Sequence, residues 1–508
     1  MKNRNLILLG FVLLKFFLQY ILLSSAYDLQ RDEYLHLDQA NHLDWGFISV
    51  PPVTSWISTL IKWLGNGVFW VKFFPALFGA LTMVLVWKTV EKLGGSMFAL
   101  VLASLGVCFS VLLRLNTLYQ PNSLDVLCWT AFLYTGVSYV QSNQSKWLYF
   151  AAIVFAIGFL NKYNIAFLLI AMIPAVLLTP LRSIFVRKEF YLAVLVAFVL
   201  VLPNLFWQYQ HHFPFWHHMK LLKEQQLVNV NRLDFLKDQL LFFTGAVFVI
   251  LFSLLAFWRY DAFKPFRFLF WTFVFTLSLF TYLKAKNYYS IGLYPIFIAF
   301  GAVYITENWT MGWKKVLTYV MMALPLLVFA RMYFIAFPNF GPDYILQHQE
   351  TYKRYGLLRW EDGKDHSMPQ DFADMLGWKE MALVVDSVYT AFPNKEGLLV
   401  LCQDYGQASA INYYKKNPQL IASSFDADYI SWLDLSKKYT DVILVRHGGD
   451  EDKDRKEERP LFDTVYLAAK RINLNAREKE ISVYLLKGAK IDLTERLRRE
   501  RDEEFSSW

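Results

Sequence analysis

The chain is poor in the residues that staple small secreted folds: three cysteines among 508 residues exclude a disulfide framework. Cys108 and Cys128 fall in long apolar runs and Cys402 in a strand-like run, so each is expected as a small buried residue, neither ligand nor nucleophile. The glycines nowhere take a GxGxxG or Walker spacing, and nucleotide binding has no support. No His/Cys group has metal-ligand spacing; His211-His212 and His217-His218 read as surface residues of one loop. No cofactor is indicated, and the part of a divalent metal is left open. No internal repeat occurs, and the charged run Asp450–Arg459 reads as a solvated loop.

What the chain has is apolar length. Hydrophobic residues make up 56% and aromatics 18%, above the roughly 45–50% apolar content of soluble domains. The pattern predicts a multi-pass membrane protein with spans near 6–26, 68–90, 96–113, 124–140, 147–161, 163–180, 190–208, 241–258, 268–284, 289–306 and 316–337, about eleven transmembrane helices. The first span follows a basic start, and we read it as an uncleaved anchor in preference to a signal peptide. Lys2 and Arg4, Lys88 and Lys92, Lys146, Arg182 with Arg187 and Lys188, Arg259 with Lys264 and Arg267, and Lys314 with Lys315 all fall on one side. By the positive-inside rule that side is cytoplasmic, and the amino end with it. The loops 27–66 and 209–240 are then exoplasmic, as is a C-terminal domain over 338–508 where charge returns to soluble density. The net charge of +8 reflects this anchoring and implies no nucleic acid.

In the C-terminal third, GLLVLC (397–402), DVILVRH (441–447) and ISVYLLKG (481–488) read as strands. A helical period follows the first of them, and the alternation predicts a small α/β domain that serves as scaffold or acceptor-docking unit.

The chemistry concentrates at the exoplasmic ends of the spans. Arg31-Asp32-Glu33-Tyr34 directly follows span one and opens an amphipathic segment expected to lie along the outer surface. On a helix Asp32, His36 and Gln39 share a face, while Glu33 points about 100° away. Arg114 follows span three, Gln120-Pro121-Asn122 and Asp125 open span four, Lys162 sits in the hinge Asn161-Lys162-Tyr163-Asn164, and Lys284 and Lys286 precede Tyr288 after span nine. Each has an ordinary structural role open to it: snorkelling for Lys162, lipid phosphate for Arg114, a helix cap for Asp125, interfacial anchoring for Lys284 and Lys286. Together, cations on the side that the positive-inside trend leaves bare point to a pathway or a phosphate site. A carboxylate base facing a Lys/Arg phosphate clamp is the minimum kit for transferring a sugar from a lipid phosphate to a hydroxyl. A transporter or lipid-carrier flippase is the alternative. It is disfavoured because repeated halves and Gly/Pro-broken spans are missing and the ionisable groups cluster at one side.

The acid pair after span one, the Pro51-Pro52 motif, the acid opening span four, the GFLNKYN hinge and the KNYYSIGLYP segment together resemble glycosyltransferase family 39, of GT-C fold. That family includes protein O-mannosyltransferases and lipid A aminoarabinose transferases, and DYGQASAINYY resembles the exoplasmic domain of its bacterial members. The resemblance implies an enzyme of the plasma membrane (the bacterial inner membrane) with a polyprenyl-phosphate-linked sugar donor. It also implies inversion at the anomeric carbon and a glycolipid, polysaccharide or protein hydroxyl as acceptor. On this sequence it makes Asp32 the base and Glu33 its partner, with Asp125 supporting acceptor or metal. Lys162 and Lys286 would hold the donor phosphate, with Arg114 or Tyr288, and His36, Gln120 and Asn122 would line the acceptor side. One departure concerns the acid and the His or Lys that many relatives carry before the proline motif: Ser49-Val50 stand there instead.

Overall fold

The computed structural model describes residues 2–506. Its first two thirds are helical: α1 (Lys2–Ile21), α2 (Arg31–Asp38), α3 (Val53–Trp63), α4 (Val68–Lys92), α5 (Met97–Cys108), α6 (Val111–Leu115), α7 (Pro121–Ser142) and α8 (Lys146–Asn161). Then follow α9 (Asn164–Leu177), α10 (Lys188–Gln210), α11 (Pro214–Gln225), α12 (Arg232–Leu241), α13 (Val247–Arg259), α14 (Arg267–Tyr282), α15 (Tyr294–Asn308) and α16 (Gly312–Met332). Apolar runs in lipid become helices because only a helix satisfies its own backbone there. Every one of the eleven expected spans contains a helix, but they differ in reach. Among the described residues, six helices are long and apolar enough to cross a membrane, or up to eight if two bent pairs each count as one span. Those pairs turn by 109° after α9 and by 64° between α12 and α13, and α5 and α8 are shorter apolar helices. Helices approach closely where side chains are small: a Cβ on Gly301 of α15 would stand 1.9 Å from the Val249 carbonyl oxygen of α13.

Short helices α17 (Pro342–Gln347), α18 (Gln349–Arg354) and α19 (Gln370–Ala373) lead into α20 (Trp378–Ala391). A five-stranded sheet follows, built from β1 (Leu398–Cys402), β2 (Ala422–Ser424), β3 (Asp441–His447), β4 (Phe462–Ile472) and β5 (Glu480–Ala489) in the order β2-β1-β3-β5-β4. β1 is parallel to β2 and β3, whereas β5 runs antiparallel to β3 and β4. The connections are α21 (Tyr405–Tyr414) and α22 (Tyr429–Trp432), and α23 (Leu493–Ser506) closes the chain. The three expected strands are β1, β3 and β5. β2 is too short to leave a pattern, and β4 is largely solvent-facing, so neither carries a buried apolar run. All three cysteines are buried and free. The run 450–459 is not wholly solvated: Arg455 is buried, ion-paired to Asp450 at 2.8 Å and to Glu458 at 3.4 Å.

The segment after α1 departs most from expectation. Instead of lying along an outer surface, α2 is sandwiched, with Glu33, Tyr34, Leu35, His36, Leu37 and Asp38 all buried. Leu29, Tyr34, Leu35 and Leu37 belong to the same hydrophobic cluster as Trp378, Val385, Ile411 and Ile443. A buried side chain of this size contributes about 1.5–3 kcal/mol, which outweighs any gain from a surface position. The helix is thus packed into the core of the C-terminal domain. It is α3 that keeps an apolar face outward, through Trp56, Leu60 and Trp63.

Candidate active site

Helix α2 begins with a capping box: Gln30 accepts from the Asp32 N–H at 2.8 Å, and Glu33 accepts from the Gln30 N–H at 2.7 Å. Both acids therefore occupy the first turn, where the helix end favours negative charge. Their side chains then part. Glu33 is fully buried and takes two contacts from Lys72 Nζ, at 2.6 and 2.7 Å, plus the Tyr119 N–H at 2.6 Å. It thereby ties α2 to α4 and to the loop before α7. Asp32 faces the opposite way, and its side chain keeps 34% exposure against 0% for Glu33. Only Asp32 is open to a substrate.

The Asp32 carboxylate is held on both oxygens. Oδ1 accepts from the Tyr405 hydroxyl at 2.6 Å, and Oδ2 accepts from Gln120 Nε2 at 3.1 Å. Burial raises its pKa, but Arg31, the Tyr405 hydrogen bond, His36 and Lys286 together bring it below the ordinary carboxylate value. Asp32 is ionised at neutral pH. His36 is pushed down by burial more than Asp32, Gln39 and Glu33 raise it, so it is neutral there; its Nδ1 lies 3.3 Å from Gln39 Oε1.

From Gln120 a line of hydrogen bonds runs toward the hinge between α8 and α9. Asn122 Nδ2 donates to Gln120 Oε1 at 3.0 Å, and Lys162 Nζ donates to Asn122 Oδ1 at 2.7 Å. Every donor in the series points from Lys162 toward Asp32, an arrangement in which successive bonds polarise one another. All four hinge residues are cross-linked: Asn161 to the Pro121 carbonyl at 2.8 Å, Lys162 to Asn122, Tyr163 to Asn204 at 3.0 Å, and Asn164 to Asp125 at 2.9 Å. Asp125 is buried, accepts from Asn164 on Oδ2 and has the Lys162 charge close by.

The second lysine arrives by a strained turn. Lys284 takes φ +53° after α14, a left-handed conformation costing about 1–2 kcal/mol, and the chain doubles back so that Lys286 meets Glu361 Oε1 at 2.6 Å. Both ammonium groups lie near the Tyr288 ring, Lys162 at 5.2 Å and Lys286 at 5.9 Å, and the Tyr289 ring lies 4.2 Å from Lys162. Arg114 is placed differently: it pairs with Asp371 at 3.1 Å and lies over Phe372 at 5.2 Å. It joins the membrane helices to the C-terminal domain and does not join the lysines. Among the described residues no group of three or more His, Cys, Asp or Glu is arranged to hold a metal ion.

Three residues of this region escaped the sequence. Lys72 carries the signal that singled out Lys162, a cation near the apolar start of a span on the side with few others. Tyr405 stands in the DYGQASAINYY stretch with nothing local to tie it to Asp32, and Asp428 carries no signal, because their partners lie hundreds of positions away. Asp428 accepts from the Ile48 N–H at 2.6 Å, Gln39 Nε2 at 2.8 Å and the Ser49 hydroxyl at 3.1 Å. Ile48 and Ser49, just before Pro51-Pro52 where no acid stands in sequence, thus receive one from the C-terminal domain.

Comparison with known proteins agrees with this architecture. A family model described as dolichyl-phosphate-mannose-protein mannosyltransferase matches residues 49–207. The lipid A galacturonosyltransferase RgtD of Rhizobium johnstonii is 27% identical over 218 residues, 41% of this chain and 44% of that one, so the match spans less than half of the relative's length. ArnT from Cupriavidus metallidurans bound to undecaprenyl phosphate superposes with a TM-score of 0.61 at 13% identity, covering 94% of this chain and 97% of that one. The apo form of the same protein gives 0.59 over 96% and 98%. The fold is that of ArnT, and residues 49–207 are similar to the dolichyl-phosphate-mannose-protein mannosyltransferase family.

Proposed function

We propose that this protein transfers a sugar from a polyprenyl-phosphate-linked donor to a hydroxyl acceptor at the exoplasmic face of the plasma membrane. Asp32 is its general base. The observation that carries this is the single-direction hydrogen-bond series from Lys162 through Asn122 and Gln120 to an ionised, solvent-reachable Asp32. In the reaction Asp32 takes the acceptor's hydroxyl proton while that oxygen attacks the anomeric carbon from the face opposite the phosphate. The bond from that carbon to the phosphate oxygen breaks, and polyprenyl phosphate departs with the electron pair. The added charge needs cations, not an acid, and Lys162 and Lys286, both beside the Tyr288 ring, supply them. Glu33 acts through position, by fixing α2 against α4. Asp125 orients the hinge through Asn164.

The undecaprenyl phosphate bound to ArnT supports the lipid part of the donor, and the lipid A acceptor in RgtD's name supports a glycolipid acceptor. Asp32→Asn tests the base. At matched expression it is expected to abolish the envelope modification, read by mass spectrometry of glycolipids from a deletion strain carrying the variant, while undecaprenyl phosphate still binds the purified protein. Retained modification removes Asp32 from this role. A reporter fused after Trp508 that is active in the cytoplasm removes the proposed orientation.

A further inference from the structure

The base is held by a residue from the far end of the chain. Tyr405 opens α21, where the Asp404 carboxylate caps the helix by accepting from the Gln407 N–H at 3.0 Å. Its ring lies under the Arg31 guanidinium at 4.8 Å, and its hydroxyl reaches across to Asp32 Oδ1 at 2.6 Å. The Arg31–Asp32 approach is longer, 3.7 Å, so the tyrosine hydroxyl makes the closer contact to that oxygen. With Gln120 on the other oxygen, each carboxylate oxygen has one lone pair engaged and one left over.

We propose that Tyr405 is a positioning residue for the Asp32 carboxylate, so that the active site is completed by the C-terminal domain. The proposal rests on Asp32 being the base. The hydroxyl fixes the carboxylate's rotation and leaves one lone pair of each oxygen directed toward the open side. Without it the carboxylate swings about Cβ, and Gln120 alone does not fix its plane. The charged and titratable groups around Asp32 are Arg31 and His36 on its own helix, Lys286, Tyr288 and Glu361 across the site, Asp374 beneath Arg31, and Tyr405 itself. Losing a donor to the ionised form moves the Asp32 pKa upward.

Tyr405→Phe isolates the hydroxyl, since the Phe ring keeps the stack with Arg31. In full-length protein the variant is expected to lose about ten-fold of the envelope modification rate. Its melting temperature and its Kd for undecaprenyl phosphate should stay unchanged. The carboxylic band that Asp32→Asn removes from the infrared difference spectrum should titrate about one pH unit higher. A lowered melting temperature with an unmoved infrared titration would make Tyr405 a docking residue only and overturn the proposal. Unchanged modification in Tyr405→Phe beside a dead Asp32→Asn overturns it too, but leaves Asp32 as the base. Modification that survives Asp32→Asn removes the base, and with it any catalytic meaning of its positioning.

Discussion

Removing Lys72 should show what the second acid of the Asp32-Glu33 pair does. In Lys72→Met, Glu33 keeps the Tyr119 and Gln30 N–H donors but loses both contacts from the ammonium, in a site where the two side chains are 5% and 0% exposed. Breaking a buried pair by removing one partner costs about 3–5 kcal/mol, because the remaining charge is stranded. At about 2.1 cal/mol/K of unfolding entropy per residue, 1 kcal/mol corresponds to roughly 1 °C for a chain of 508 residues, so the expected drop is about 3–5 °C. The protein supplies its own probe. Cys108, Cys128 and Cys402 are all buried, and a thiol-reactive fluorophore reports their exposure on heating. In the double variant Glu33→Gln/Lys72→Met no charge is stranded, and the amide oxygen still accepts from a backbone donor, so at least half of the loss should return. A single variant melting within about 1 °C of wild type, or a double variant no better than the single, would refute the account.

Two further outcomes follow from the charges around the site. Glu361→Gln frees Lys286 from its ion pair, which is partly exposed at 15% and 42%, so undecaprenyl phosphate should bind about two- to five-fold tighter; an unchanged Kd would show that Lys286 does not meet the phosphate. Asp374 is pushed up to about 6 by burial, against the pull of Arg477 and Arg31. Between an unfolded value of about 3.9 and 6, the folded state holds a proton that the unfolded state has lost, so wild-type stability falls as pH rises through that window and levels off above it. Asp374→Asn cannot ionise, and its melting temperature relative to wild type should climb between pH 4 and 6; parallel curves would refute this.

How much of the molecule was legible in the sequence depended on the distance over which each contact is made. Apolar length marked a helix within every expected span, but a run of such residues does not show where a helix bends, as after Leu177. The hinge residues, Gln120, Asn122 and Lys162 were marked by polarity at span ends, and the fold does bring them to Asp32 in one connected series. The divergence of Asp32 and Glu33 followed from helical phase. What phase could not show is that both sides of α2 are covered: the apolar side looked like a membrane-surface face because its partners, Trp378 and Ile443, lie more than 340 positions on. Arg114 misled for the same reason, its carboxylate partner being Asp371.

The covering of α2 also sets an order of events during biogenesis. Asp32 receives Tyr405, Asp38 receives Asn412 and Tyr429, and Gln39 receives Asp428, all from segments synthesised long after the first helices have entered the bilayer. A ribosome that has delivered every membrane helix has still not delivered these contacts. Until the last third of the chain has folded beside it, the segment carrying Asp32 has no core to enter. A product that ends before Tyr405 therefore keeps its membrane helices but leaves Asp32 Oδ1 without the hydroxyl that engages it.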